Sequence, residues 1–188
     1  MSVPGRHDEL VEGALRYALR RGLADLSLRP LAAALGTSDR MLMYHFGSKR
    51  ALVDDVLDRA SSHLAALVLD VMATRGTAAE RLGNLWEQLA SPDAEPYLRL
   101  WFEVQGLALM GRAPYDQSAP RLLRAWVELS ASILTDMGVS TADARRIATV
   151  EVAAMQGLLL DLLATGDRER ADAAAGDVIT RIVDWGGA

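Results

Sequence analysis

"SLRPLAAALGTSDRMLMYHFGSK", residues 27–49, reads as a short helix, a glycine-bearing turn, a second short helix and a sharp stop. Ser27 is a good N-cap, and Pro30 is tolerated in the first turn of a helix running to Leu35. Gly36 stands where a left-handed residue lets the chain leave that helix. The second helix covers about 38–46, Gly47 breaks it, and Ser48 caps the next one. Two short helices about a glycine turn make the helix-turn-helix arrangement.

The second helix has two distinct faces. Advancing about 100° per residue from Asp39 places Leu42 and Phe46 at roughly 300° and 340°, one apolar stripe. Arg40, Tyr44 and Met41 fall at roughly 100°, 140° and 200°, with His45 at roughly 240°. A guanidinium, a phenol, a thioether and an imidazole are a costly choice for a merely solvated face. They suit a DNA major groove, which offers hydrogen-bonding base edges and thymine methyls. Ser27 and Arg29 begin the preceding helix, where free N–H groups and the dipole favour an anion. Lys49, the only lysine in the chain, begins the following helix as a flexible point charge. Such phosphate contacts fix register while the exposed helix reads bases.

Each of these residues has a plainer alternative. Tyr44 could be a half-buried rim residue, His45 a satisfied surface histidine, Lys49 a solvated cation, and Ser27 and Ser48 caps alone. Asp39 would repel phosphate, so it reads a cytosine amine, pairs with Arg40 or caps the helix. The functional reading rests on their combination at this spacing.

Helical periodicity extends through the rest of the chain, and strand alternation is nearly absent. A first helix is expected over Arg6 to about Arg21, ended by Gly22. A long one follows from Ser48 to about Thr74. Glycine, proline and serine breaks then bound helices near 77–90, 95–110, 118–137, 141–165 and 168–185. The expectation is an all-α protein of about nine helices.

Composition narrows the function. The 188 residues are about half apolar and carry a net charge of −5, yet residues 1–50 hold eight Lys/Arg against five Asp/Glu. A less acidic N-terminal piece on an acidic body permits local phosphate contact. The absence of cysteine excludes disulfides and thiolate metal sites. Neither a targeting signal nor a window approaching the roughly 20 apolar residues of a membrane span is evident, which points to a cytoplasmic protein without a membrane partner.

The stretch "LSLRPLAAALGTSDRMLMYHFGSKRALVDDVL", within a match of about residues 8–60, resembles the TetR family of bacterial transcriptional repressors. Its signature is the helix-turn-helix followed by Tyr44-His45-Phe46, the Gly47-Ser48 break, Lys49 and then Leu52. The resemblance implies a three-helix DNA-binding domain at residues 1–47. A ligand-binding and dimerisation domain would occupy 48–188, with helix 48–74 as connector. It implies phosphate contacts from Ser27, Arg29 and Lys49, and a groove face of Ser38, Asp39, Arg40, Met41, Tyr44 and His45. One departure is Met43, which stands where the family most often has tyrosine; Tyr44 would partly replace that phosphate contact.

The second domain is expected to bind a small molecule of unknown identity. Trp86, Trp101, Phe102, Met110, Trp126 and Met155 supply apolar walls, and Glu103, Gln105, Glu151 and Gln156 supply sparse polar groups. A packed core is the competing reading of the same residues. Within helix 141–165, residues 147–164 are apolar around so much of their circumference that they suit a homodimer interface, and the family resemblance implies helix 168–185 as its partner there. The implied activity is a sequence-specific regulator on a palindromic operator, most simply a repressor released by its effector. A protein-binding helical adaptor would account for the C-terminal helices but not for the exposed face of 39–46. No enzyme, cofactor or metal is expected: catalytic fingerprints are absent, and His7, His45 and His63 are scattered.

Overall fold

A computed structural model describes residues 5–186. Among these the regular structure is nine helices: α1 (Arg6–Arg21), α2 (Leu28–Ala34), α3 (Asp39–Phe46), α4 (Lys49–Met72), α5 (Ala78–Leu89), α6 (Glu95–Leu109), α7 (Tyr115–Asp136), α8 (Thr141–Thr165) and α9 (Arg168–Gly186). The all-α expectation holds, and most boundaries follow the glycine and serine signals. α7 starts earlier than expected, taking in Tyr115, Asp116 and Gln117, with Pro120 inside it rather than in its first turn.

The chain forms two compact units: residues 1–65 with 99–120, and residues 66–98 with 121–188. Three helices, α4, α6 and α7, contribute residues to both.

In the first unit α1 packs on α2 and α3, and α2 on α3. Leu10, Leu15, Leu31, Leu42, Val53 and Val56 form its core. Ion pairs lace the exposed edge of α1 to α4. Arg59 reaches Asp8 and Glu12 at 3.0 and 3.3 Å, and His7 lies 3.2 Å from Asp55.

The second unit is built on α9, against which α5 and α8 pack. Ala171, Ala175, Ile179 and Ile182 recur at three- and four-residue spacing on its buried face. Trp86 of α5 is buried and donates its indole N–H to Asp172 at 2.7 Å. Arg168 reinforces this junction through Asp172, Glu87 and the Ala90 carbonyl. Such bonds hold the Asp172 carboxyl below its ordinary range, against the opposing effect of burial.

α8 departs from the sequence expectation in one respect. It is long and apolar enough to cross a membrane, with a mean hydropathy of 1.6 in its most apolar window. Glu151, Gln156 and Asp161 interrupt the run, but an average over 18 residues absorbs them. Glu151 accepts from the Ser130 hydroxyl, and Asp161 lies 2.8 Å from Arg170.

Burial pushes the Glu151 carboxyl up, opposed by the Ser130 hydrogen bond. For a raised carboxyl, the neutral form stabilises the fold below the ordinary value of 4.5, and that contribution is lost as pH rises through the folded value. Glu151→Gln stays neutral and still accepts from Ser130. It is therefore expected to raise the thermal midpoint at neutral pH. In melts followed by circular dichroism the gain should vanish below pH 4.5, where glutamate is itself neutral.

Candidate nucleic-acid interface

The α2–turn–α3 segment is held by residues that face inward. Leu31 of α2 and Leu42 of α3 are fully buried, and Phe46 at the end of α3 packs at a tilt against the His7 ring with centroids 4.8 Å apart. The α3 anchor is therefore the Leu42/Phe46 stripe expected from helical spacing. Gly36 and Gly47 both take positive φ, 63° and 71°, and supply the exits from α2 and α3.

With that stripe buried, the opposite face of α3 is open. Tyr44 is 79% exposed, the largest value among the aromatic side chains of the first unit's open faces, and its ring meets His45 edge-on at 5.3 Å. Asp39, Arg40, Met41 and Met43 are exposed, and His45 is half-buried. Ser38 caps α3 by accepting the Met41 N–H at 3.3 Å. Asp39 is thus not the cap. It forms no ion pair with Arg40 among the described residues.

The flanking groups are also accessible. Lys49 is exposed as the first residue of α4, just after Ser48, which caps that helix by accepting from Ala51 at 3.0 Å. Arg50 beside it is committed elsewhere: it donates to Gln117 at 2.5 Å. Ser27 corrects one expectation. It occupies the N-cap position of α2 with extended backbone but makes no side-chain cap bond. An N-cap oxygen accepts from the second or third helical N–H, and here the third is Pro30, which has none. The Ser27 hydroxyl is thereby left exposed at a helix N-terminus beside Arg29, also exposed.

The residues expected to line an effector pocket fall in both units. Trp101, Phe102, Glu103, Gln105 and Met110 belong to the first, and Trp86, Trp126, Glu151, Met155 and Gln156 to the second. Trp86 is buried against Asp172, and Met110 lies at the surface, 68% exposed. Glu103 is engaged by the backbone of the α1–α2 connection, accepting from Leu23 and Ala24. Helical spacing could not reveal that contact, which joins residues 80 positions apart. The one local signal was Gly22, whose positive φ of 75° marks a special turn.

Comparison with known proteins adds to this geometry. A family model described as bacterial regulatory proteins, tetR family, matches residues 10–56, which cover most of α1, all of α2 and α3, and the start of α4. The HTH-type transcriptional repressor KstR2 of Mycobacterium tuberculosis is 29% identical over 133 residues, 68% of this chain. That alignment spans 66% of the relative's own length, just under two thirds. A transcriptional regulator from Rhodococcus sp. Rha1 superposes with a TM-score of 0.76 at 20% identity, covering 96% of this chain and 97% of the other. A TetR-family regulator from Cytophaga hutchinsonii gives 0.75 at 16% identity, over 99% and 97%. At such identities the structural likeness speaks for the fold.

Proposed function

We infer, from the premise that this chain belongs to the tetR family of bacterial regulatory proteins, that it is a sequence-specific DNA-binding transcriptional regulator. The observation that carries the reading is α3: Leu42 and Phe46 bury one side, and Arg40, Met41 and Tyr44 stand exposed on the other. In this reading α3 enters the major groove. Ser38, Asp39, Arg40, Met41, Tyr44 and His45 face bases, and Ser27, Arg29 and Lys49 hold phosphates. Residues 1–47 do the reading, 48–188 provide dimerisation and ligand binding, and helix 48–74 connects them.

A dimer follows from α8 and α9. Val150, Ala153, Gly157, Leu160 and Ala164 form an exposed apolar stripe at alternating three- and four-residue spacing along α8. Gly157 and Gly176 are open above their Cα atoms. Large and small apolar groups on one face suit close packing of a second copy, and two-fold symmetry would present two α3 helices to a palindromic operator. The same second copy accounts for the membrane-like hydropathy of α8, in keeping with a cytoplasmic protein.

Repression is the simplest mode, as in the name of the Mycobacterium tuberculosis relative. A small-molecule effector would release the operator by binding better to a conformer with differently spaced reading helices, and by no more than that difference in affinity. We assign no catalytic activity.

Selection of bound duplexes from a random pool tests the reading. Palindromic half-sites bound with strong salt dependence are expected; salt-insensitive or absent binding favours a protein adaptor instead. On the selected duplex, Arg40→Ala should cost about 1–3 kcal/mol and relax preference at one base pair. Lys49→Ala should weaken binding to all sequences alike and reduce the salt slope by about one. Titrations at several salt concentrations separate the two effects, and an unchanged slope in Lys49→Ala removes its phosphate role.

A further inference from the structure

The connection from α1 to α2 is gripped from outside the helix-turn-helix. α1 ends as the Gly22 N–H bonds the Ala18 carbonyl at 2.7 Å, and the next two N–H groups find no helical acceptor. Glu103 of α6 supplies one. Its carboxylate accepts the Leu23 N–H with both oxygens at 3.0 Å and the Ala24 N–H at 2.8 Å. Tyr115, buried at the start of α7, donates its hydroxyl to the Leu23 carbonyl at 2.7 Å. That carbonyl also accepts the Leu26 N–H at 3.1 Å, closing the turn that delivers the chain to Ser27. Both backbone groups of Leu23, a residue 1% exposed, are therefore held by side chains 80 and 92 positions away.

The site is shaped for the carboxylate. A Cβ at position 22 would lie 2.7 and 2.8 Å from the two Glu103 oxygens, so a side chain there would push the carboxylate from its place, and the positive φ itself favours glycine. Amide bonds to an ionised carboxylate are about twice as strong as neutral ones. Without Glu103 the buried Leu23 N–H would have no partner, a costly state that the turn would relieve by moving. The phenol is kept neutral: burial, and then the Glu103 charge, push it up to about 12, against the opposing effect of Arg112.

We propose that Glu103 and Tyr115 are positioning residues for DNA binding, clamping Leu23 so that the α1–α2 turn presents Ser27, Arg29 and the α2–α3 pair in a binding-ready orientation. The proposal rests on the DNA-reading function above. It differs from an ordinary stabilising contact in what it fixes. α1 and α2 already share a core, and the clamp acts on the short turn between them, upstream of the first phosphate-contacting residue. Releasing it leaves the helices folded but lets the N-terminus of α2 wander, so that ordering must be regained on binding.

The full-length protein and its Glu103→Gln, Glu103→Ala and Tyr115→Phe variants test this on the duplex selected by wild type. Measurements are made at a temperature where circular dichroism shows each variant folded. Hydrogen exchange at the Leu23 and Ala24 amides should accelerate by about tenfold or more in Glu103→Ala. The Kd for the duplex should rise about tenfold in the same variant. Glu103→Gln keeps a carbonyl acceptor and should recover part of the loss, and Tyr115→Phe should show a smaller rise. Folded variants with faster exchange but wild-type Kd would reduce the clamp to a structural contact and overturn the proposal alone. Absence of wild-type binding to any duplex would overturn the DNA-reading function and the proposal with it. Should Glu103→Ala fail to fold, Glu103→Gln and Tyr115→Phe decide the matter by the same Kd comparison.

Discussion

Gly157→Arg is expected to leave each protomer folded while halving the mass of the particle in solution. Gly157 lies mid-helix in α8, and a Cβ there meets no atom within 4 Å, so the protomer itself has room for a side chain. Arginine is also the better helix former, by about 0.5–1 kcal/mol against glycine. Harm can therefore come only from whatever covers that face, and a long cation pressed into an apolar stripe of Val150, Ala153 and Leu160 leaves its charge unpaired. Sedimentation velocity should report a dimer for wild type and a monomer for the variant at equal helicity. Affinity for a duplex with two half-sites should fall by on the order of 10³, toward the non-specific level, since one reading head then acts alone. A Gly157→Arg protein that remains dimeric would remove α8 from the interface.

The second large effect is on the reading head. Leu42→Ala removes a side chain with 0% exposure from the junction of α3 with α1 and α2. Truncating a buried leucine costs about 2–5 kcal/mol, a large fraction of the roughly 5–15 kcal/mol that holds an ordinary protein folded. Denaturant titration should show the loss, and duplex affinity should fall with the folded fraction. Tyr44→Ala, two residues along the same helix, is the contrast. Tyr44 is exposed, so stability should move by no more than about 0.5 kcal/mol while duplex binding weakens. If the two variants lost stability equally, the division of α3 into a buried and a reading face would be wrong.

The split of α3 into a buried and an exposed side was legible because it is local. Seven residues of helix suffice to assign Leu42 and Phe46 to one side and Arg40 and Tyr44 to the other. Gly36, Gly47 and Gly166 mark helix ends by a conformation that other residues resist. Ser27 takes the expected N-cap position but makes no side-chain cap bond, and Pro30 already announced that one of the two N–H groups it could use is missing. The Glu103 and Tyr115 contacts are of another kind. Residue 103 sits among apolar neighbours in α6, where a carboxylate looks like a ligand-binding group. Only the folded chain brings it to Leu23, because tertiary pairings across 80 residues leave no periodic trace. The early start of α7 is similar: a helix was expected from about residue 118, yet it already includes Tyr115, whose hydroxyl is tied to Leu23.

Lys49 has a consequence for chemistry rather than for binding alone. Nineteen of the chain's twenty basic side chains are arginines, so a single ε-amine stands exposed, at the first position of α4. An acyl group placed on it removes one positive charge and leaves every guanidinium untouched. If Lys49 holds a phosphate as proposed, an acylating reagent directed at this one ε-amine should weaken duplex binding.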